Sequence, residues 1–148
     1  MENNLISRKN NQPLDFFLGM VVLIIVGLVS PFILILIVKF TGFSEIVEEI
    51  FKALIVYFLI LRLYSFRQKI GAGFIFGLLF ALSESFLYLN NIFQIGEFAI
   101  FWQRLFLTTL MHILTVLVVL FSGLKSKKYI IFGIVCAIII HLFFNQVV

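Results

Sequence analysis

From Phe16 to Val38 the chain runs without a single charged side chain. About 20 mostly apolar residues at 1.5 Å per residue are enough to cross a hydrocarbon core of about 30 Å, so this run reads as a membrane-spanning helix. Splitting it at Ser30-Pro31 would leave two halves too short to span, so one long helix is expected, with Pro31 as a point where it can kink. Similar segments follow at 44–63, 70–93, 98–123 and 129–148, the fourth starting either at Phe98 or nearer Arg104. The fold class expected is therefore an all-α integral membrane protein, a bundle of about five transmembrane helices in one membrane domain over 1–148. Residues 1–12 are polar and Asn-rich and read as a short disordered tail.

Composition agrees: 63% of the residues are hydrophobic and only 12% charged, with mean hydropathy +1.20, far from a soluble domain. The net charge of +4 is accounted for by topology. With the N-terminus cytoplasmic, Arg8 and Lys9, then Arg62, Arg67 and Lys69, then Lys125, Lys127 and Lys128 all fall on the inner side. Nucleic acid is not an expected partner; the lipid bilayer is. The first apolar run is too long for a signal-peptide core and reads as an uncleaved anchor. The single cysteine, Cys136, lies inside the last helix and excludes an internal disulfide.

Ionisable groups within membrane helices are costly, about 2.5–3.5 kcal/mol each on insertion scales, and usually face a bundle interior. The list here is short: Glu48, Glu49 and Lys52 on the second helix, Glu84 on the third, His112 on the fourth, and His141 with Asn145 on the fifth. Counted from the outer helix ends, Glu48 and Glu49 lie about 6 to 8 Å deep, His141 about 10 Å, His112 about 12 Å and Glu84 about 14 Å. Four helices thus place their polar interior groups in one slab. His141 and Asn145 are four apart and share a face, as do Glu48 and Lys52, and as do Phe80 and Glu84. The bland readings are snorkelling of Glu48 and Glu49 to the interface and interhelical hydrogen bonds for Glu84, His112 and Asn145. Arg104 reads as an interfacial anchor.

Glu48-Glu49-Ile50-Phe51-Lys52 resembles the EExxK motif of the PrsW family of intramembrane proteases. Phe80-Ala81-Leu82-Ser83-Glu84 looks like that family's FxxxE, Arg104 with His112 is similar to its Arg-to-His segment, and His141-Leu142-Phe143-Phe144-Asn145 looks like its HxxxN. Each motif alone is weak; four in order on successive helices are specific. A glutamate at position 84, rather than histidine, points to this branch and away from the related CAAX prenyl endopeptidases and bacteriocin-processing enzymes.

The resemblance implies a peptide hydrolase of a prokaryotic cytoplasmic membrane, cutting a membrane-bound protein near the outer face, an anti-sigma factor being one such substrate. It implies Glu48 as general base and Glu84 as the group that positions water. His141 and Asn145 would be oxyanion donors, and His112 would orient water or act as acid. Glu49, Lys52, Arg104 and Phe80 are supporting residues. A metal reading uses the same groups, with Glu84, His112 and His141 around Zn²⁺; the chain lacks HExxH, and a metal-independent glutamate mechanism is preferred. The other function classes to weigh are a small ion- or proton-coupled transporter and a non-catalytic scaffold or immunity protein.

Overall fold

The structure is a computed structural model that describes residues 16–89 and 99–147; the tail expected over 1–12 lies outside them. Five α-helices follow one another: α1 (Glu2–Thr41), α2 (Ser44–Arg62), α3 (Phe66–Ile95), α4 (Phe98–Lys125) and α5 (Ile130–Val147), with one 3₁₀ turn, Lys127–Tyr129, before α5. The first apolar run is one helix that continues through Pro31. The start of α3 is four residues earlier than the hydropathy pattern places it. A capping box is the cause: the Gln68 amide donates to Ser65 Oγ (3.1 Å) and the Ser65 amide donates to Gln68 Oε1 (3.2 Å), satisfying two of the donors that a helix start leaves open. At the opposite end of the bundle, Gly42 takes φ +76° and its amide bonds back to Val38, a left-handed stop that lets α2 begin two residues later.

Among the described residues, four helical stretches are long and apolar enough to cross a membrane: Phe16–Thr41, Phe66–Leu89, Ala99–Lys125 and Lys127–Val147. This is the make-up of an integral membrane protein. The sequence pattern leads to five such spans, and α2 is the one that does not qualify by composition, because Glu45, Glu48, Glu49 and Lys52 crowd its first half. Its two faces differ sharply. Ile46, Ile50, Leu54, Phe58 and Leu61 are exposed along one side, whereas Glu49, Lys52, Ala53, Val56 and Leu59 are buried.

Small residues set how closely α3 and α4 approach. Gly73, Gly77 and Ala81 recur every four residues on α3, the spacing that lets membrane helices touch backbone to backbone. A Cβ on Gly77 would lie 2.9 Å from Ile113 Cα and 3.1 Å from the His112 carbonyl oxygen, so no other residue fits without moving α4. Phe76, Phe80, Val116, Val119 and Leu120 fill the seam. On the other side of α3, Ser83 Oγ donates to the Leu28 carbonyl of α1 (2.5 Å). These contacts put Glu84 one turn beyond Phe80 and directly opposite His112.

Candidate functional site

The buried charges meet at Lys52. Lys52, Glu49 and His112 are all 0% exposed, and the Lys52 ammonium donates to Glu49 Oε1 (2.5 Å), His112 Nδ1 (2.7 Å) and Thr115 Oγ1 (3.4 Å). An ammonium carries three protons and no lone pair, so these three acceptors use all it has. His112 Nδ1 must then present a lone pair to Lys52, and a neutral imidazole with Nδ1 as acceptor carries its proton on Nε2. The Thr115 hydroxyl hydrogen is directed to the His112 carbonyl (3.2 Å). Lys52 thereby fixes both the position of the His112 ring and its tautomer.

Glu49 does the same for His141. Its Oε1 already accepts from Lys52 and lies 2.9 Å from His141 Nδ1. A carboxylate only accepts, so Nδ1 of His141 carries a proton, and in the neutral imidazole the lone pair is on Nε2. The two imidazoles stand nearly perpendicular, 83° with centroids 5.4 Å apart. Phe80 closes the inner wall, its ring 5.1 Å from that of His112 and 5.0 Å from the Lys52 ammonium, where it shields both from water.

Beyond this network, several polar atoms have no hydrogen-bond partner among the described residues. His112 Nε2 and Glu84 Oε2 are in contact but off the line of a hydrogen bond, and each is left without a partner, as are Glu48 Oε2 and Glu49 Oε2. Buried polar atoms are nearly always paired, so four such atoms in one cluster mark groups arranged for something other than packing. Two of these residues, Glu48 and Glu84, border a cleft with about 40 Å³ of room for water-sized groups, enough for a few waters at about 10–15 Å³ each. Glu48, Glu84, His141, Tyr88, Arg104 and Thr108 are among its lining residues.

Most of the residues singled out from the sequence meet here, though not always in the expected part. Glu49 and Lys52, expected as supports, form the buried centre. Arg104, expected as an interfacial anchor, lines the cleft with its guanidinium 5.6 Å from the Tyr88 ring centroid. Asn145 also borders the cleft, but its amide donates to Glu45 Oε1 (2.8 Å), which ties α5 to α2 and turns that donor away from the cleft. Glu45, Thr115 and Tyr88 are additions that the motifs do not single out. Each lies one helical turn from a residue that they do: Glu45 three before Glu48, Thr115 three after His112, Tyr88 four after Glu84.

Glu48, His112 and His141 bring one ligand atom each to within 4.8 Å of one another, a two-histidine, one-carboxylate set of the kind zinc accepts. The sequence pattern suggests Glu84 in place of Glu48. The tautomer removes His112 from that set: a neutral imidazole has one lone pair, and that of His112 is already directed at Lys52. With Lys52 in place, Glu48 and His141 remain, and zinc would need Glu84, on the same cleft, as its third protein ligand. Set against known proteins, the chain matches no family model, no curated protein and no solved structure.

Proposed function

We propose that this chain is an intramembrane endopeptidase of the PrsW type, hydrolysing a peptide bond of a membrane-bound protein. The observation that carries the reading is the convergence of four successive helices on one site: Glu48, Glu84 and His141 line a cleft with room for water, and His112 touches Glu84 from behind, beside a buried Lys52–Glu49 pair. In this reading α2 is the fifth span. Its 19 residues extend about 28 Å, its apolar side faces lipid, and its charges satisfy one another inside the bundle. The basic residues Arg62, Arg67, Lys69, Lys125, Lys127 and Lys128 then cluster at the end away from the site. This favours a cytoplasmic N-terminus and a cut near the outer face of a prokaryotic cytoplasmic membrane. An anti-sigma factor is one substrate of this description.

The geometry supports specific roles. Glu48, with an unpartnered oxygen on the cleft, takes one proton from the attacking water, while the Nε2 lone pair of His141 accepts its other proton and Glu84 closes the far side of the cleft around it. The oxyanion formed at the substrate carbonyl meets the Nε2–H of His112 and the positive charge of Arg104. Glu48 returns its proton to the leaving amine. His141 is thus an acceptor backed by Glu49, in place of the oxyanion donor that the motif alone implies, and Asn145 serves to dock α5 on Glu45.

The test is cleavage of a single-span substrate by the reconstituted protein. Glu48→Gln and His141→Ala are each expected to lower the rate at least about 100-fold. Cleavage that survives both substitutions overturns the reading. Proton or cation flux without cleavage would favour a carrier.

A further inference from the structure

The polar cleft does not end at α3. A second depression of about 410 Å³ runs along the outside of the bundle between α1, α3 and α4, walled by Leu28 and Phe32 of α1 and Leu82 and Phe86 of α3. Its volume lies within the roughly 300–1,000 Å³ of ordinary ligand sites, and almost all of its surface is apolar. Ser85, Phe101 and Leu105 line both this trough and the cleft. The two are therefore neighbours that share a wall, one opening to the side of the helices and the other leading to Glu48 and His141.

We propose that this trough docks the membrane-embedded apolar segment of the peptide substrate, which reaches the cleft sideways from the bilayer past Ser85. The inference rests on the hydrolase reading and names the form in which the substrate arrives. A helix in lipid has all its backbone groups paired internally, so a scissile bond becomes reachable only where the segment unwinds and its amides find other partners. A surface that is apolar on the lipid side and polar at its inner edge meets both needs. Side chains of the segment stay on Phe32, Leu82 and Phe86, while the unwound peptide meets the Ser85 hydroxyl and the charged cleft. The floor is held firm by the Ser83–Leu28 hydrogen bond between α1 and α3, so the trough is a fixed feature of the helix packing.

Photo-crosslinking tests it independently of turnover. A benzophenone side chain is placed at Leu82 or Phe86 in the full-length Glu48→Gln chain in bilayers, and at Phe132 on α5 as the control. Phe86 and Phe132 are similarly exposed, 71% and 64%. The probe is a synthetic peptide with one apolar span and a polar outer flank. Crosslinks at 82 and 86, well above those at 132 and displaced by unlabelled peptide, are expected. Crosslinks only to lipid, or equal yields at 132, overturn the proposal.

In the active chain, Leu82→Trp should slow cleavage of the spanning peptide at least about tenfold and leave unchanged that of a short polar peptide bearing the same scissile bond. Equal effects on both peptides overturn it. If the wild-type chain cleaves neither peptide, the hydrolase reading fails, and the crosslinks alone judge the trough.

Discussion

Lys52 is the residue whose replacement should be felt most. Met matches its length and apolar stem, so Lys52→Met changes little but charge and hydrogen bonding. It leaves the Glu49 carboxylate, 0% exposed, with His141 as its one remaining partner among the described residues, and it leaves His112 Nδ1 and Thr115 Oγ1 without a donor. Removing one member of a buried pair typically costs about 3–5 kcal/mol, because the survivor stays buried and uncompensated. Glu49→Gln should do comparable harm from the other side. The double variant removes both charges, and the amide carbonyl that Glu49→Gln introduces can still accept from His141, so it should lie within about 1–3 kcal/mol of wild type. The signature is strong non-additivity, with the double variant more stable than either single one. Reversible unfolding in bicelles, followed by a steric-trap assay, reads all four corners of this cycle. A Lys52→Met variant within about 1 kcal/mol of wild type, or additive effects, would refute the buried network.

Three further outcomes follow from the same geometry. Since Lys52 occupies the lone pair of His112 and Glu48 serves as the base, zinc chelators should leave cleavage unchanged and the purified protein should carry well under one zinc per chain by elemental analysis; stoichiometric zinc that tracks activity would overturn the metal-independent mechanism. Gly77→Ala forces a Cβ against α4 backbone and should destabilise by about 1–3 kcal/mol while displacing His112 from Glu84 and depressing turnover. Gly19→Ala, with open space around it, is the control in the same unfolding assay. Thr115→Val removes one acceptor from Lys52 and should cost about 0.5–1.5 kcal/mol with a lesser loss of cleavage than Lys52→Met, measured as initial rates on one substrate.

The membrane character of the chain and the slab of polar residues are legible in the sequence because both depend on local order. An uncharged run of the length of Phe16–Val38 needs no partner to declare itself, and helix alternation converts residue number into depth. The Ser65–Gln68 capping box and the four-residue spacing of Gly73, Gly77 and Ala81 are local too, but hydropathy alone passes over both and starts the third helix at Ile70. They fix where α3 starts and why α4 lies so close to it.

The division of labour within the slab is another matter. The resemblance separates Glu48, as base, from Glu49, as support, but gives no physical reason: neighbouring helix positions point about 100° apart, and only the rotation of α2 against α4 and α5 buries one and leaves the other at the cleft. Lys52 meets His112 sixty positions away and Glu49 meets His141 ninety-two away, so neither partner, nor the tautomer each imposes, can be read along the chain. Hydrogen-bond capacity is a property of a residue; which lone pair is already engaged is a property of the assembled bundle, and that is what the tertiary structure alone decided.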